Sequence, residues 1–218
     1  DALPICLTGG LGAGKSTLAR FLAQKGAAVR DADAVVEELY LPQGAAVLPL
    51  ARAFGERILT AQGGVDREKL KALVAADPSA LLMLNRIVHP LVRAEMARWF
   101  EELEHRPQSP LVAVVEAALL VETGSFRQYH RLVVVTAPAS VRRERAAASG
   151  LSPEVVRRLM EAQADDETKR KVAHYVVDNS GTLAELEAKA EALWQHLLAD
   201  AQAVAEGRPL STGPALVL

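Results

Sequence analysis

One glycine-rich segment of the sequence has the residue types and spacing of a phosphate-binding loop. Residues 9–16 read Gly-Gly-Leu-Gly-Ala-Gly-Lys-Ser, which fits the pattern G-x-x-x-x-G-K-[ST]. Glycines let the backbone curve closely around phosphate oxygens with its N–H groups turned inward. Lys15 can reach the β- and γ-phosphates, and the Ser16 hydroxyl can bind Mg²⁺. The segment therefore predicts a site for the phosphates of ATP, formed by Gly12, Ala13, Gly14, Lys15, Ser16 and Thr17, with Mg²⁺ held through Ser16.

The rest of the chain narrows the class of P-loop protein. No N-K-x-D motif is present to read guanine, and residues 178–181 fit the GTPase pattern D-x-x-G only near the end of the chain. A chain of 218 residues is also short for a motor or a large ATPase. The remaining class is a small kinase that moves the γ-phosphoryl group of ATP to a small acceptor.

Two carboxylates are candidates for work beside the loop. Asp33 follows the second predicted strand, at the carboxyl edge of the sheet where ligands bind in open α/β folds. There it can orient an acceptor hydroxyl and accept its proton, although Asp33 also fits the N-cap of a helix starting near Ala34. Glu116 ends a valine-rich strand, either near the Mg²⁺ ion or as a solvated strand end.

These residues need a scaffold of alternating strands and helices. Short apolar runs predict buried strands at residues 4–8, 27–30, 111–115, 132–135 and 175–177. Helical patterns separate the runs, which predicts an α/β P-loop fold of three layers around a parallel five-stranded sheet.

The domain organisation follows from the same pattern. Residues 1–206 are predicted to form one P-loop kinase domain. Residues 41–106 show no strand and are predicted to be an inserted helical subdomain that binds the acceptor. Residues 139–171, helical and rich in Arg and Lys, are predicted to be a lid, and residues 207–218 a flexible tail.

Composition excludes several partners. Lys and Arg number 25 against 27 Asp and Glu, which disfavours a nucleic-acid binder. No apolar run is long enough to cross a membrane, and no export signal is visible, so we expect a cytoplasmic protein. The lone Cys6 lies in an apolar run and is predicted to be a buried thiol. Nothing in the sequence indicates an obligate protein partner.

The order and spacing of several segments resemble the bacterial dephospho-coenzyme A kinase family. Residues 7–17 resemble its P-loop, and the Asp-Ala-Asp of residues 31–33 resembles its second-strand motif. Further similar segments are residues 64–67 with Leu70, 85–90, 119–122 and 177–181, together with Gln163 and Lys169.

The resemblance implies that ATP phosphorylates the ribose 3′-hydroxyl of dephospho-CoA to give CoA and ADP. It implies that Asp33 is the base, that Lys15 and Arg145 act on the phosphoryl groups, and that Asn179 lies on the adenine side. It also implies that the acceptor is bound by Asp33, Arg67, His89 and Glu116.

Three positions depart from the family pattern. Ser149 stands where a second lid arginine is usual, Ala118 where proline is usual, and His174 where aspartate is usual. The nearest alternatives are another P-loop small-molecule kinase, of the nucleoside monophosphate or sugar-acid type, and a non-catalytic nucleotide-binding relative.

Overall fold

The computed structural model describes all 218 residues of the chain. It divides them into two compact units, one formed by Asp1–Arg30 with Glu104–Leu218 and the other by Asp31–Leu103. The second unit contains most of the inserted subdomain that the sequence predicts over residues 41–106, and it begins earlier, at Asp31.

Single helices or runs of helices separate most of the strands along the chain. In chain order the elements are β1 (Leu3–Gly9), α1 (Lys15–Lys25), β2 (Ala28–Asp31), α2 (Ala32–Tyr40), α3 (Val47–Phe54), α4 (Arg67–Ala76), α5 (Pro78–Glu104), β3 (Val112–Glu116), β4 (Arg131–Thr136), α6 (Ala139–Ala148), α7 (Pro153–Ala162), α8 (Asp166–Val172), β5 (Tyr175–Asp178), α9 (Leu183–Ala205) and β6 (Leu216–Val217). None of these helices combines the length and the apolar character needed to cross a lipid bilayer.

The strands form one sheet in the order β2-β3-β1-β4-β5-β6. β1 pairs in parallel with β3 and β4, β5 pairs in parallel with β4, and β6 with β5. The predicted parallel α/β sheet is therefore confirmed, but it has six strands instead of five. This arrangement brings the carboxyl ends of β1 and β3, and hence the P-loop and Glu116, to the same edge of the sheet.

The sheet is buried on both faces because side chains alternate along each strand. Leu3, Ile5 and Leu7 of β1 join a cluster with residues of α1 and α9. Cys6 lies in a second cluster, with residues of β4 and β5, and it is buried as predicted. Complete burial of each of these aliphatic side chains contributes about 1.5–3 kcal/mol, so the base of the P-loop rests on a rigid strand.

The predicted lid corresponds to three short helices, α6, α7 and α8. α7 begins after Ser152, whose side chain accepts a hydrogen bond from Val155 N. α8 begins after Asp165, whose Oδ1 accepts one from Thr168 N at 2.7 Å. Each cap satisfies an amide that has no partner within its own helix, and such a bond stabilises a helix by about 1 kcal/mol.

The tail that the sequence predicts to be flexible makes specific contacts with the sheet. Leu216 and Val217 form β6, which pairs with β5. Arg131 NH1 donates to Ser211 O at 2.9 Å, and the same guanidinium pairs with Asp200 at 3.0 Å. Arg131 and Asp200 are 3% and 8% exposed, so this buried ion pair connects β4, α9 and the tail.

The second unit consists of α2 to α5 and their connections. Asp31 is the N-cap of α2, and its Oδ1 accepts a hydrogen bond from Asp33 N at 2.9 Å. The sequence analysis gave the N-cap of this helix as an alternative role of Asp33, but Asp31 forms the cap instead. Helix α2 starts earlier than expected, at Ala32, which places Asp33 inside its first turn with an exposed side chain.

Candidate nucleotide site

The P-loop connects β1 to α1 in a tight, glycine-dependent path. Gly12 and Gly14 have φ angles of +75° and +97°, values that other residues rarely adopt. A Cβ atom on Gly12 would lie 2.2 Å from the carbonyl oxygen of Arg142, because α6 packs directly on the loop. Glycine is thus required at position 12 both by the backbone conformation and by the space available.

Two side chains from other elements hold the loop from outside. Asn179 Nδ2 donates to Ala13 O at 2.8 Å. Arg145 NH1 donates to Gly12 O at 3.3 Å and to Ala13 O at 3.4 Å, and its NH2 donates to Asn179 O at 2.7 Å. Because these bonds engage loop carbonyls, they use none of the loop's amide groups, although Ala13 N donates to Gly10 O at 3.0 Å within the loop itself.

The contacts give Asn179 and Arg145 a bracing role that the sequence analysis did not foresee. Asn179, which follows β5, is 7% exposed, and its amide is engaged with the loop. Its predicted position on the adenine side stays a prediction, and so does the contact of Arg145 with phosphoryl groups.

A hydroxyl and a carboxylate meet where α1 begins. Ser16 Oγ donates to Glu116 Oε1 at 2.6 Å, and Glu116 is 7% exposed at the end of β3. Lys15 is the first residue of α1, and the positive end of the helix dipole adds to its charge. Together these groups can hold an anion and, through the two oxygens, a hard divalent cation.

Three predicted acceptor-binding residues belong to the second unit. Arg67 pairs with Glu37 at 3.1 Å, and its guanidinium lies 5.9 Å from the centre of the Tyr40 ring. His89 is exposed on α5, and Asp33 is exposed on α2. The structure therefore groups Lys15, Ser16, Glu116, Arg145 and Asn179 in the first unit, and places Asp33, Arg67 and His89 in the second.

Arg67 also borders a small cavity of the second unit. The cavity has a volume of about 170 Å³ and is lined by Tyr40, Arg67, Leu70, Lys71, Val74 and Leu84. Burial raises the pKa of the Tyr40 hydroxyl, and the positive charge of Arg67 opposes that rise. The cavity combines two cations, a phenol and aliphatic walls, which suits a ligand with an anionic end and an apolar portion.

Comparison with known proteins identifies the family. The family model described as dephospho-CoA kinase matches residues 3–185. A dephospho-CoA kinase of Thermobifida fusca is 40% identical over 196 residues, which cover 89% of this chain and 96% of the relative. The chain belongs to the dephospho-CoA kinase family.

A further relative and two solved structures are similar to the chain in sequence or in fold. A dephospho-CoA kinase of Methylococcus capsulatus is 43% identical over 192 residues, covering 88% of this chain and 94% of the relative. The crystal structure of TT1252 from Thermus thermophilus has a TM-score of 0.76 and 36% identity, and covers 90% of this chain and 98% of that one. A Campylobacter jejuni dephospho-CoA kinase, with a TM-score of 0.60 and 21% identity over 89% and 96% of the two chains, shares the fold.

Sequence reasoning missed one further contact of the P-loop, and one bond beside it, in this member of the dephospho-CoA kinase family. Leu11 N donates to Gln163 Oε1 at 2.9 Å, from the loop to the connection between α7 and α8. Glu122 Oε2 holds the same connection by accepting from Ala164 N at 3.1 Å. Both residues resemble parts of family motifs, but neither spacing nor periodicity indicated that Gln163 meets the loop or that Glu122 holds the connection beside it.

Proposed function

We propose that this protein transfers the γ-phosphoryl group of ATP to the ribose 3′-hydroxyl of dephospho-CoA, giving CoA and ADP. The observation that supports this function most directly is the match of residues 3–185 to the dephospho-CoA kinase family model. The P-loop within this range is held in position by Asn179, which donates to Ala13 O. The reaction forms a bond between the acceptor oxygen and the γ-phosphorus and breaks the bond between that phosphorus and the β–γ bridging oxygen.

The first unit supplies the groups that hold ATP. The amides from Gly12 to Thr17 bind its phosphates, and Lys15 neutralises part of their charge. Ser16 and Glu116 fit Mg²⁺, because this ion prefers oxygen ligands and is commonly bound by one or two carboxylates together with substrate phosphates. When bound, Mg²⁺ supplies charge neutralisation on the phosphates.

The second unit supplies the groups for the acceptor. Asp33 accepts the proton of the 3′-hydroxyl as the oxygen attacks. Arg67 and Lys71 at the small cavity attract the anionic groups of dephospho-CoA, and the apolar walls formed by Leu70, Val74 and Leu84 contact its less polar portion. His89 and Glu116 complete the proposed acceptor set. A cytoplasmic location and the absence of an obligate protein partner stay predictions.

Release of ADP from Mg-ATP, measured with different acceptors, tests the function. We expect turnover with dephospho-CoA and none above background with AMP, with gluconate or without an acceptor. Turnover with AMP or gluconate instead would indicate another small-molecule kinase. ATP binding without turnover on any acceptor would indicate a nucleotide-binding relative that has lost catalysis.

The role of Asp33 has its own test. Asp33→Asn retains the size of the side chain but removes its basicity, so we expect nearly normal ATP binding with a kcat reduced by about 10²–10⁴-fold. Asp31→Asn is the matched control, since an asparagine can still cap α2 through its side-chain oxygen. Unchanged turnover in Asp33→Asn would remove this residue as the base.

A further inference from the structure

A second cleft of the first unit lies at the edge of the sheet opposite the P-loop. Its walls come from the end of α1, the start of β2, the segment before β3, and α9. These segments meet at the amino end of β1, where Leu3 N donates to Leu111 O at 2.8 Å, whereas the P-loop follows the carboxyl end of the same strand. At about 3.3 Å per residue, the seven residues of β1 separate the two edges by about 20 Å. The cleft is therefore separate from the nucleotide site.

The size of the cleft suits a small organic molecule. Its volume is about 410 Å³, and sites for small ligands commonly measure about 300–1,000 Å³. Every residue that lines it belongs to the first unit, so its shape depends on that unit alone.

The turn that ends α1 forms one wall of the cleft without a side chain. Gly26 has a φ angle of +117° and closes the helix in a Schellman motif, in which Gly26 N donates to Ala23 O and Ala27 N to Leu22 O, each at 3.1 Å. The positive φ angle favours glycine at this position. A Cβ atom on Gly26 would lie 3.9 Å from Cζ2 of Trp194, so the glycine leaves this side of the indole uncovered.

Two apolar side chains of the cleft favour a ligand with a planar ring. Trp194 is 9% exposed, and the rest of its ring packs into the core between α1 and α9. Leu111 is 61% exposed, although it directly precedes β3, whose five residues are all buried. A planar ring in the cleft would stack on the indole and cover apolar surface of both residues.

The charged groups of the cleft favour an anion. No acidic residue lines it, and its two cations are Lys25 and Arg106. Lys25 is paired with Glu191 of α9, which compensates its charge. Arg106 is exposed and takes part in no ion pair, and Gln108 and Ser109 beside it add uncharged donors. A guanidinium with free N–H groups can bind a carboxylate through two parallel hydrogen bonds.

We propose that this cleft binds a small aromatic carboxylate, with its ring against Trp194 and its carboxylate at Arg106. Because only one cation of the cleft lacks a partner, a ligand with a single negative charge fits better than a di- or triphosphate. The site does not depend on the proposed function, since none of the residues that line it belongs to the P-loop or to the proposed acceptor set.

The fluorescence of Trp194 tests the proposal. The chain has two tryptophans, so Trp99→Phe leaves Trp194 as the reporter. This variant is titrated with 4-nitrobenzoate, a planar acid that quenches indole fluorescence, and with 4-nitrobenzamide, its uncharged analogue. We expect saturable quenching by the acid with a Kd below about 1 mM and at least about tenfold weaker binding of the amide, because the amide lacks the charged hydrogen bonds.

The contribution of Arg106 is measured in the same single-tryptophan background. Arg106→Gln should abolish the preference for the acid over the amide, while Arg106→Lys should retain part of it because the charge remains. Arg208→Gln is the matched control, since this exposed arginine is paired with Glu206 and does not line the cleft, and we expect it to leave the preference unchanged.

Three results would overturn the proposal. Quenching by 4-nitrobenzoate that rises linearly without saturation would show collision with the indole and no bound state. Equal affinity for the acid and the amide, or an unchanged preference in Arg106→Gln, would remove the anion contact. A Kd for the acid that rises with the concentration of Mg-ADP would place the acid in the nucleotide site instead of the cleft.

Discussion

Replacing Arg145 with alanine should show how far the hydrogen bonds from Arg145 to the P-loop and to Asn179 determine activity. The variant loses one short charge-assisted bond, to Asn179 O at 2.7 Å, and a longer pair, to Gly12 O at 3.3 Å and Ala13 O at 3.4 Å. A good bond from a charged donor contributes about 1.5–3 kcal/mol, and the longer shared pair about 1 kcal/mol.

Together these bonds contribute about 2.5–4 kcal/mol to holding the loop in position, and their loss corresponds to a fall in kcat/KM of about 70–900-fold. Because the brace shapes the whole loop, we expect ATP and ADP affinity to weaken by similar factors.

Coupled-enzyme detection of ADP gives the rates, and calorimetry gives the affinities. Arg143→Ala is the matched control, since this side chain is exposed on the same helix. Arg145→Lys should recover only part of the activity, because one ammonium cannot replace a planar group that reaches both Asn179 and the loop. A kcat/KM in Arg145→Ala within about threefold of wild type would refute the reasoning, since even one lost charged bond predicts a larger change.

Three further predictions concern the metal, pH and stability. Glu116→Gln weakens the oxygen pair with Ser16, so the Mg²⁺ concentration for half-maximal ADP release should rise at constant ATP, and an unchanged requirement would contradict the pairing. Burial and the charge of Arg131 lower the pKa of His174. Because the unfolded chain then binds more protons than the folded one, the free energy of unfolding should decrease as pH falls below 6.5, by at most about 1.4 kcal/mol per pH unit. If the difference in unfolding free energy between wild type and His174→Asn did not change with pH, this expectation would be contradicted. Asp200→Ala leaves the Arg131 charge buried without its partner, so urea unfolding should show that the free energy of unfolding falls by about 3–5 kcal/mol. A decrease below about 1 kcal/mol, the range of an exposed ion pair, would show that the pair is solvated.

The fold class and the phosphate loop were predictable from sequence because they depend on local patterns. Short runs of three to five residues identified β1 to β5, and the glycine spacing with Lys15 and Ser16 identified the loop. Strand β6 escaped prediction because Leu216 and Val217 lie among glycines and prolines, and they become a strand only by pairing with β5.

The sequence by itself therefore determined the P-loop, its flanking elements and the family of the protein, since each depends on neighbours in the chain or on the order of motifs. Only the tertiary structure decided what Arg145, Asn179 and Gln163 contact, because their partners lie 34 to 166 positions away in the chain. No periodicity encodes such pairings. Arg142 and Arg145 look alike on one helix in the sequence, yet packing against the loop directs one to Gly10 and engages the other with carbonyls.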